Sequence, residues 1–193
     1  MIPAKDGLTK IFERVSRDEK LARHDKVVAD SLVVYLTEQL EASDQEDRPG
    51  IASFLALELV MQGKFDHAEK VLVALTDEFP DEVLLWHQLA GIYSDHKGDE
   101  LKAWGYAKKA EAASHRQGRF IVHTLNMQCR LARKMDDFPL LTETIEKLLA
   151  YKLVRGSMDS VFENDFLYDL PDGAVPPDRI AALNARCKRW REY

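Results

Sequence analysis

Residues 83–111 read VLLWHQLAGIYSDHKGDELKAWGYAKKAE. Trp86, Leu89, Ala90 and Tyr93 fall at helical spacing, Lys97-Gly98-Asp99 interrupts them, and Ala103, Ala107 and Ala110 resume the pattern. The stretch therefore predicts two helices joined by a tight turn. An offset of about 34 residues, a period typical of helical repeats, aligns it with the segment from Pro49. There Leu55 and Ala56 sit in a first helix, Gly63 and Phe65 mark the turn, Ala68 and Leu72 follow in a second helix, and Pro80 closes the unit. Beyond Tyr93 the alignment holds only if one extra residue is allowed near Gly98. A third unit, roughly Val122 to Lys152, keeps Phe138, Leu141, Ile145 and Leu148 but lacks the Trp and the Gly.

These residue types have packing roles. Small side chains at Ala56, Ala68, Ala90 and Ala103 let two helices approach, and Trp86, Tyr93 and Phe65 fill the space between neighbouring hairpins. In these positions the chain resembles the tetratricopeptide repeat family over about half its length. The resemblance implies an all-α fold, a right-handed array of antiparallel helical hairpins in which a unit covers its apolar faces by stacking on the next. It further implies that the first helix of each pair lines a concave groove. An irregular helical bundle, built by the same packing rules, is the competing architecture.

Outward from the repeats, Leu8, Ile11, Phe12 and Val15, then Val27 to Leu40, predict two N-terminal helices before a polar run from Glu41 to Arg48. Residues 1–48 are thus expected to pack on an array spanning 49–155. Residues 156–193 form an acidic connection and a C-terminal capping helix. In the connection, Asp159, Glu163, Asp165, Asp169 and Asp172 are interleaved with Val161, Phe162, Phe166, Leu167, Tyr168 and Leu170. That segment either occupies the groove or covers the end of the array, the second being the expected role. After Pro176-Pro177, Ile180, Leu183, Cys187 and Trp190 make one apolar stripe among Arg179, Arg186, Lys188, Arg189 and Arg191, the pattern of a docked helix.

A net charge of −6 across 193 residues disfavours nucleic acid and anionic membrane as partners. The only cysteines are Cys129 and Cys187, too few for a disulfide framework, which fits a reducing, cytoplasmic location. No apolar run suits a secretory signal or a membrane span. No nucleophile–base set, metal-ligand pair, phosphate loop or dinucleotide fingerprint stands out, so no enzyme, cofactor or metal is expected. An active site assembled outside the repeats is the alternative.

Function is expected in the groove. Its first-unit candidates are Leu57, Val60 and Met61 with Ser53, and its second-unit candidates are His87, Gly91, Ser94 and Asp95. Between Ala112 and Met135 the acidic chain has no Asp or Glu, and Arg119, His123, Asn126, Arg130 and Arg133 are spaced by four, three, four and three residues. That spacing predicts one basic helical face, which is either the solvated side of an amphipathic helix, satisfied by Asp136, Asp137 or the acidic segment, or a binding surface. Guanidinium groups hold carboxylates bidentately, so an acidic peptide segment of another protein is the expected ligand, with apolar side chains against Leu57, Val60 and Met61. The family's carboxylate-clamp mode is not expected, because Ser53, Leu57, His87 and Gly91 stand where that subgroup carries Lys and Asn. The apolar candidates would equally suit burial against a second copy of the chain.

Overall fold

The computed structural model describes residues 6–23, 25–151 and 164–191. The described residues form nine α-helices and no strand: α1 (Leu8–Ala22), α2 (Lys26–Ala42), α3 (Arg48–Met61), α4 (Phe65–Glu78), α5 (Val83–Gly91), α6 (Glu100–Gln117), α7 (Ile121–Lys134), α8 (Phe138–Ala150) and α9 (Pro177–Arg191). Val161, Phe162, Asp159 and Glu163, and the side chains of Lys188, Arg189, Trp190 and Arg191, lie outside the described residues. No described helix is long and apolar enough to cross a membrane.

Each helix packs on the next in chain order, and α1 also meets α3, as α3 meets α5. The turns explain why. Gly63, Gly98 and Gly118 take left-handed φ of 72°, 64° and 66°, which only glycine adopts without cost. They reverse the chain between α3 and α4, before α6, and after α6. The third unit has no glycine at this point, and Asp136 supplies the left-handed conformation instead, at φ 52°. Asp is among the few side chains that tolerate it. Side-chain caps then start the second helices, with Asp99 accepting from the Lys102 amide and Asp137 from the Leu140 amide, each at 3.0 Å.

The extra residue near Gly98 has a structural cause. Leu55 and Ala56 correspond to Leu89 and Ala90, but Gly63 and Ala68 correspond to Gly98 and Ala103, one residue later. Between the two sets, Ile92–Lys97 winds as a π-helix, which absorbs one residue while α5 continues in register. Ala56, Ala68, Ala90 and Ala103 are all buried, as close helix approach requires.

The core falls into clusters. The larger joins α1 to α6 through Ile11, Leu32, Leu36, Ile51, Leu59, Leu72, Leu85, Leu89 and, on α6, Ala110 and Ala113. A second joins α7, α8 and α9 through Val122, Cys129, Leu141, Ile145, Leu183 and Cys187. Ala90, Tyr93, Ala103, Ala107 and Leu131 pack in a third. Ile180, Leu183 and Cys187 of the α9 stripe dock on the second cluster, and Arg186 ties the helix down by donating to the carbonyl oxygens of Leu148, Leu149 and Tyr151.

Candidate functional site

Helices α3 and α5 carry few charges. In α3 the charged residues are Arg48, at its first position, and Glu58, which is buried; α5 has none. Their outward faces are consequently apolar or neutral. Leu57 and Met61 are 43% and 41% exposed, with Ser53 and Val60 half-buried beside them. On α5, Leu84 is exposed and Gln88 and Gly91 half-buried, and their spacing of four and three puts them on one side. The two faces are joined where the Gln88 amide donates to the Ser53 carbonyl at 2.9 Å. Helices α4 and α6 contrast with them, exposing Asp66, His67, Lys70, Asp77 and Glu78, and Lys102, Lys108, Lys109, His115 and Arg116.

Sequence spacing placed His87 on this outward face, and the structure corrects it. His87 is buried and points at α7, with its ring stacked on His123 at 4.5 Å between centroids and its Nε2 2.7 Å from Thr124 Oγ1. The Thr124 hydroxyl donates to the Phe120 carbonyl at 2.8 Å, so its lone pair accepts from His87 Nε2–H. Nδ1 is then unprotonated, buried and without a partner among the described residues. Burial, with a smaller contribution from His123, pushes the His87 pKa down to about 3. The phase of α5 was readable from Leu85, Trp86, Leu89 and Ala90, all buried, which leave Leu84 and Gln88 opposite. The sequence reading had missed both.

The basic face is corrected as well. α7 starts at Ile121, after Phe120 with φ 61°, so Arg119 lies outside the helix. It donates to Gln117 Oε1 at 2.5 Å and pairs with Glu82 at 3.4 Å. Asn126 is fully buried at 0% exposure, while His123, Arg130 and Arg133 are half-buried. Arg130 Nε meets Asp165 at 2.9 Å; Arg133 pairs with Asp136 at 2.6 Å and donates to the Asp169 carbonyl at 3.2 Å. Lys134 pairs with Asp95 and Arg116 with Asp81, each at 2.5 Å. A stretch without acids in sequence is thus supplied with them in space, mostly from 35 to 39 residues away. The basic residues clamp neighbouring helices together and do not form a free cationic surface.

Residues 164–170 provide two of those contacts, the Asp165 carboxylate to Arg130 and the Asp169 backbone carbonyl to Arg133. Asp165–Leu167 form a single 3₁₀ turn, Phe166 is buried in the second cluster, Leu167 and Leu170 pack against it, and Tyr168 faces solvent. This part of the acidic connection covers the end formed by α7, α8 and α9. Elsewhere, a shallow depression of about 230 Å³ is lined by Gly63, Lys64, Phe65, Asp66, His67 and Lys97. Its Lys97 ammonium is already held by Asp66 and Glu69, at 2.7 and 2.5 Å. Among the described residues no group of three or more His, Cys, Asp or Glu is placed to hold a metal.

No family model and no curated protein matches the chain. A solved structure, the crystal structure of BtubC (BKLC) from P. vanneervenii, is similar over 96% of this chain and 89% of that one, with a TM-score of 0.57 and 18% identity. At that identity the likeness is one of fold.

Proposed function

We propose that the chain is a protein-interaction scaffold of the tetratricopeptide type that holds a segment of a partner protein against the outward faces of α3, α5 and the adjoining edge of α7. The observation that carries this reading is the uncharged strip of exposed Leu57, Met61 and Leu84 with half-buried Gln88 and Gly91 on a chain in which 31% of residues are charged. Contiguous exposed apolar surface on an otherwise charged protein marks an interaction site. The repeat reading is supported by the recurring left-handed turn at Gly63, Gly98 and Asp136. It is supported also by the ion pairs that link residues about one period apart. Both cysteines are buried and neither is in a disulfide, in keeping with a reducing, cytoplasmic setting.

The chemistry of the strip shifts the ligand from the one expected. A charged group laid against Leu57, Met61 and Leu84 would lose its hydration without gaining a partner, so the central part of the bound segment is apolar. Acidic character belongs at the α7 edge, where Arg130 already holds the chain's own Asp165. The test is capture from native lysate by wild-type chain, by Leu57→Asp/Met61→Asp, and by Arg130→Ala/Arg133→Ala, with circular dichroism confirming that each folds. A protein retained by wild type and lost with the Leu57/Met61 pair supports the strip; equal retention by all three removes the strip from the argument.

A further inference from the structure

Helix α1 is an imperfect occupant of its seat on α3. Ile11 and Val15 are its buried residues, while Leu8, Phe12 and Leu21 stay exposed, Phe12 by 55%. Phe12 meets Phe54 of α3 at 5.9 Å between centroids, and Leu8 reaches Gly50, so α1 lies beside the outward strip. Close by, Glu58 is 1% exposed, and neither carboxylate oxygen has a hydrogen-bond partner among the described residues. One turn on, the amide N and O of Gln62 are likewise buried and unpartnered, on the same side of α3 by their spacing.

Burial pushes the Glu58 carboxyl above its ordinary pKa, and the charges that act on it are Glu19, which raises it further, and Arg23, which lowers it, at the C-terminal end of α1. Arg23 is committed to Glu19, Nη2 to Oε1 at 2.7 Å. The helix in the seat therefore sets an acid towards a buried acid and occupies its own nearest base. Native structures rarely leave a buried carboxylate unpaired, and a cation is the partner that this one lacks.

We infer that this seat is a helix-exchange site: an amphipathic helix of a partner protein, bearing Lys or Arg where α1 bears Glu19, displaces α1 and pairs with Glu58. The inference extends the scaffold reading to a second surface and rests on it for the existence of a partner. The chemistry of the seat itself is testable in the chain alone.

Glu19→Lys is introduced into the full chain in the wild-type and Glu58→Gln backgrounds. The expected result is a raised unfolding midpoint and slower amide exchange through residues 8–22 in the wild-type background, with neither gain in the Glu58→Gln background. Equal effects in both backgrounds overturn the pairing with Glu58, whatever Glu19→Lys does to the Arg23 pair. The second arm uses a fluorescent peptide of residues 8–22 carrying Glu19→Lys, added to full chain with Ile11→Ala, which loosens the resident helix. Saturable binding, weakened about tenfold by Glu58→Gln, is the expected outcome; no binding, or binding indifferent to Glu58→Gln, overturns exchange. Loss of the outward strip in the Leu57→Asp/Met61→Asp capture leaves both arms unaffected, so the two readings fail separately.

Discussion

Replacing Thr124 with valine removes one hydroxyl from the contact between α5 and α7 and changes little else. Both side chains are β-branched and of similar size, so helix propensity and packing nearly cancel. The Phe120 carbonyl keeps the Thr124 backbone amide at 2.9 Å and is not orphaned. What is lost is the acceptor for His87 Nε2–H, on a ring that is buried and already has an unpartnered Nδ1. A buried donor left unsatisfied costs about 1–3 kcal/mol. For a chain of this length each kcal/mol moves the melting midpoint by about 2–4 °C, so Thr124→Val should lower it by about 2–12 °C at neutral pH, about 4–8 °C for a cost in the middle of that range. Removing both polar partners behaves differently, because no donor is then stranded: His87→Phe/Thr124→Val should be no less stable than His87→Phe alone. Thermal and urea unfolding of the four proteins closes the cycle. A Thr124→Val midpoint within about 1 °C of wild type, or additive single effects, would show that the His87–Thr124 hydrogen bond does not secure this interface.

The same histidine sets a pH dependence. Its folded pKa, near 3, lies below the ordinary value of 6.5, so between those values the unfolded chain binds the proton more readily. Stability from this site is complete above about pH 6.5 and is lost as pH falls towards 3; urea titrations should show a shallower loss over that window in His87→Phe. Phe166→Ala removes the buried anchor of residues 164–170 and should cost about 3 kcal/mol, at the low end for a buried aromatic because the turn lies at the end of the fold. Hydrogen exchange should speed up at 164–170 before the rest, and unchanged protection there would deny Phe166 that role. Gly98→Ala meets no atom within 4 Å but must adopt φ +64°, so it should cost about 1 kcal/mol, and Gly98→Asn, read by the same unfolding curves, should cost less.

Much of the helical layout was legible because it depends on local sequence. The glycines at 63 and 98, set between polar residues where the apolar period breaks, permit left-handed turns there at no cost, and the spacing of Ala56, Ala68, Ala90 and Ala103 fixes which sides of the hairpins approach. Even the π-helix at Ile92–Lys97 was visible as a residue too many near Gly98. The candidate site was only partly legible. Leu57, Val60 and Met61 lie on or beside the outward face of α3, because that helix has a single phase compatible with burying Ile51, Leu55 and Leu59. On α5 the phase set by Leu85, Trp86, Leu89 and Ala90 leaves Leu84 and Gln88 outward, while the polar His87 is held inward by the Thr124 and His123 that it meets on α7.

The sequence by itself determined an all-helical chain, the positions of its turns, and the small and large residues that pack between hairpins, since backbone sterics and the 3.6-residue period act over a few neighbours. The tertiary structure alone decided which acid meets which base. Arg119, Arg130 and Arg133 look like parts of one cationic stripe until Glu82, Asp165 and Asp136 are brought to them. It likewise decided that Glu58 has no partner among the described residues. Most of these pairings join residues more than thirty positions apart, and their geometry depends on how far one helix slides or turns against another, which no local pattern encodes.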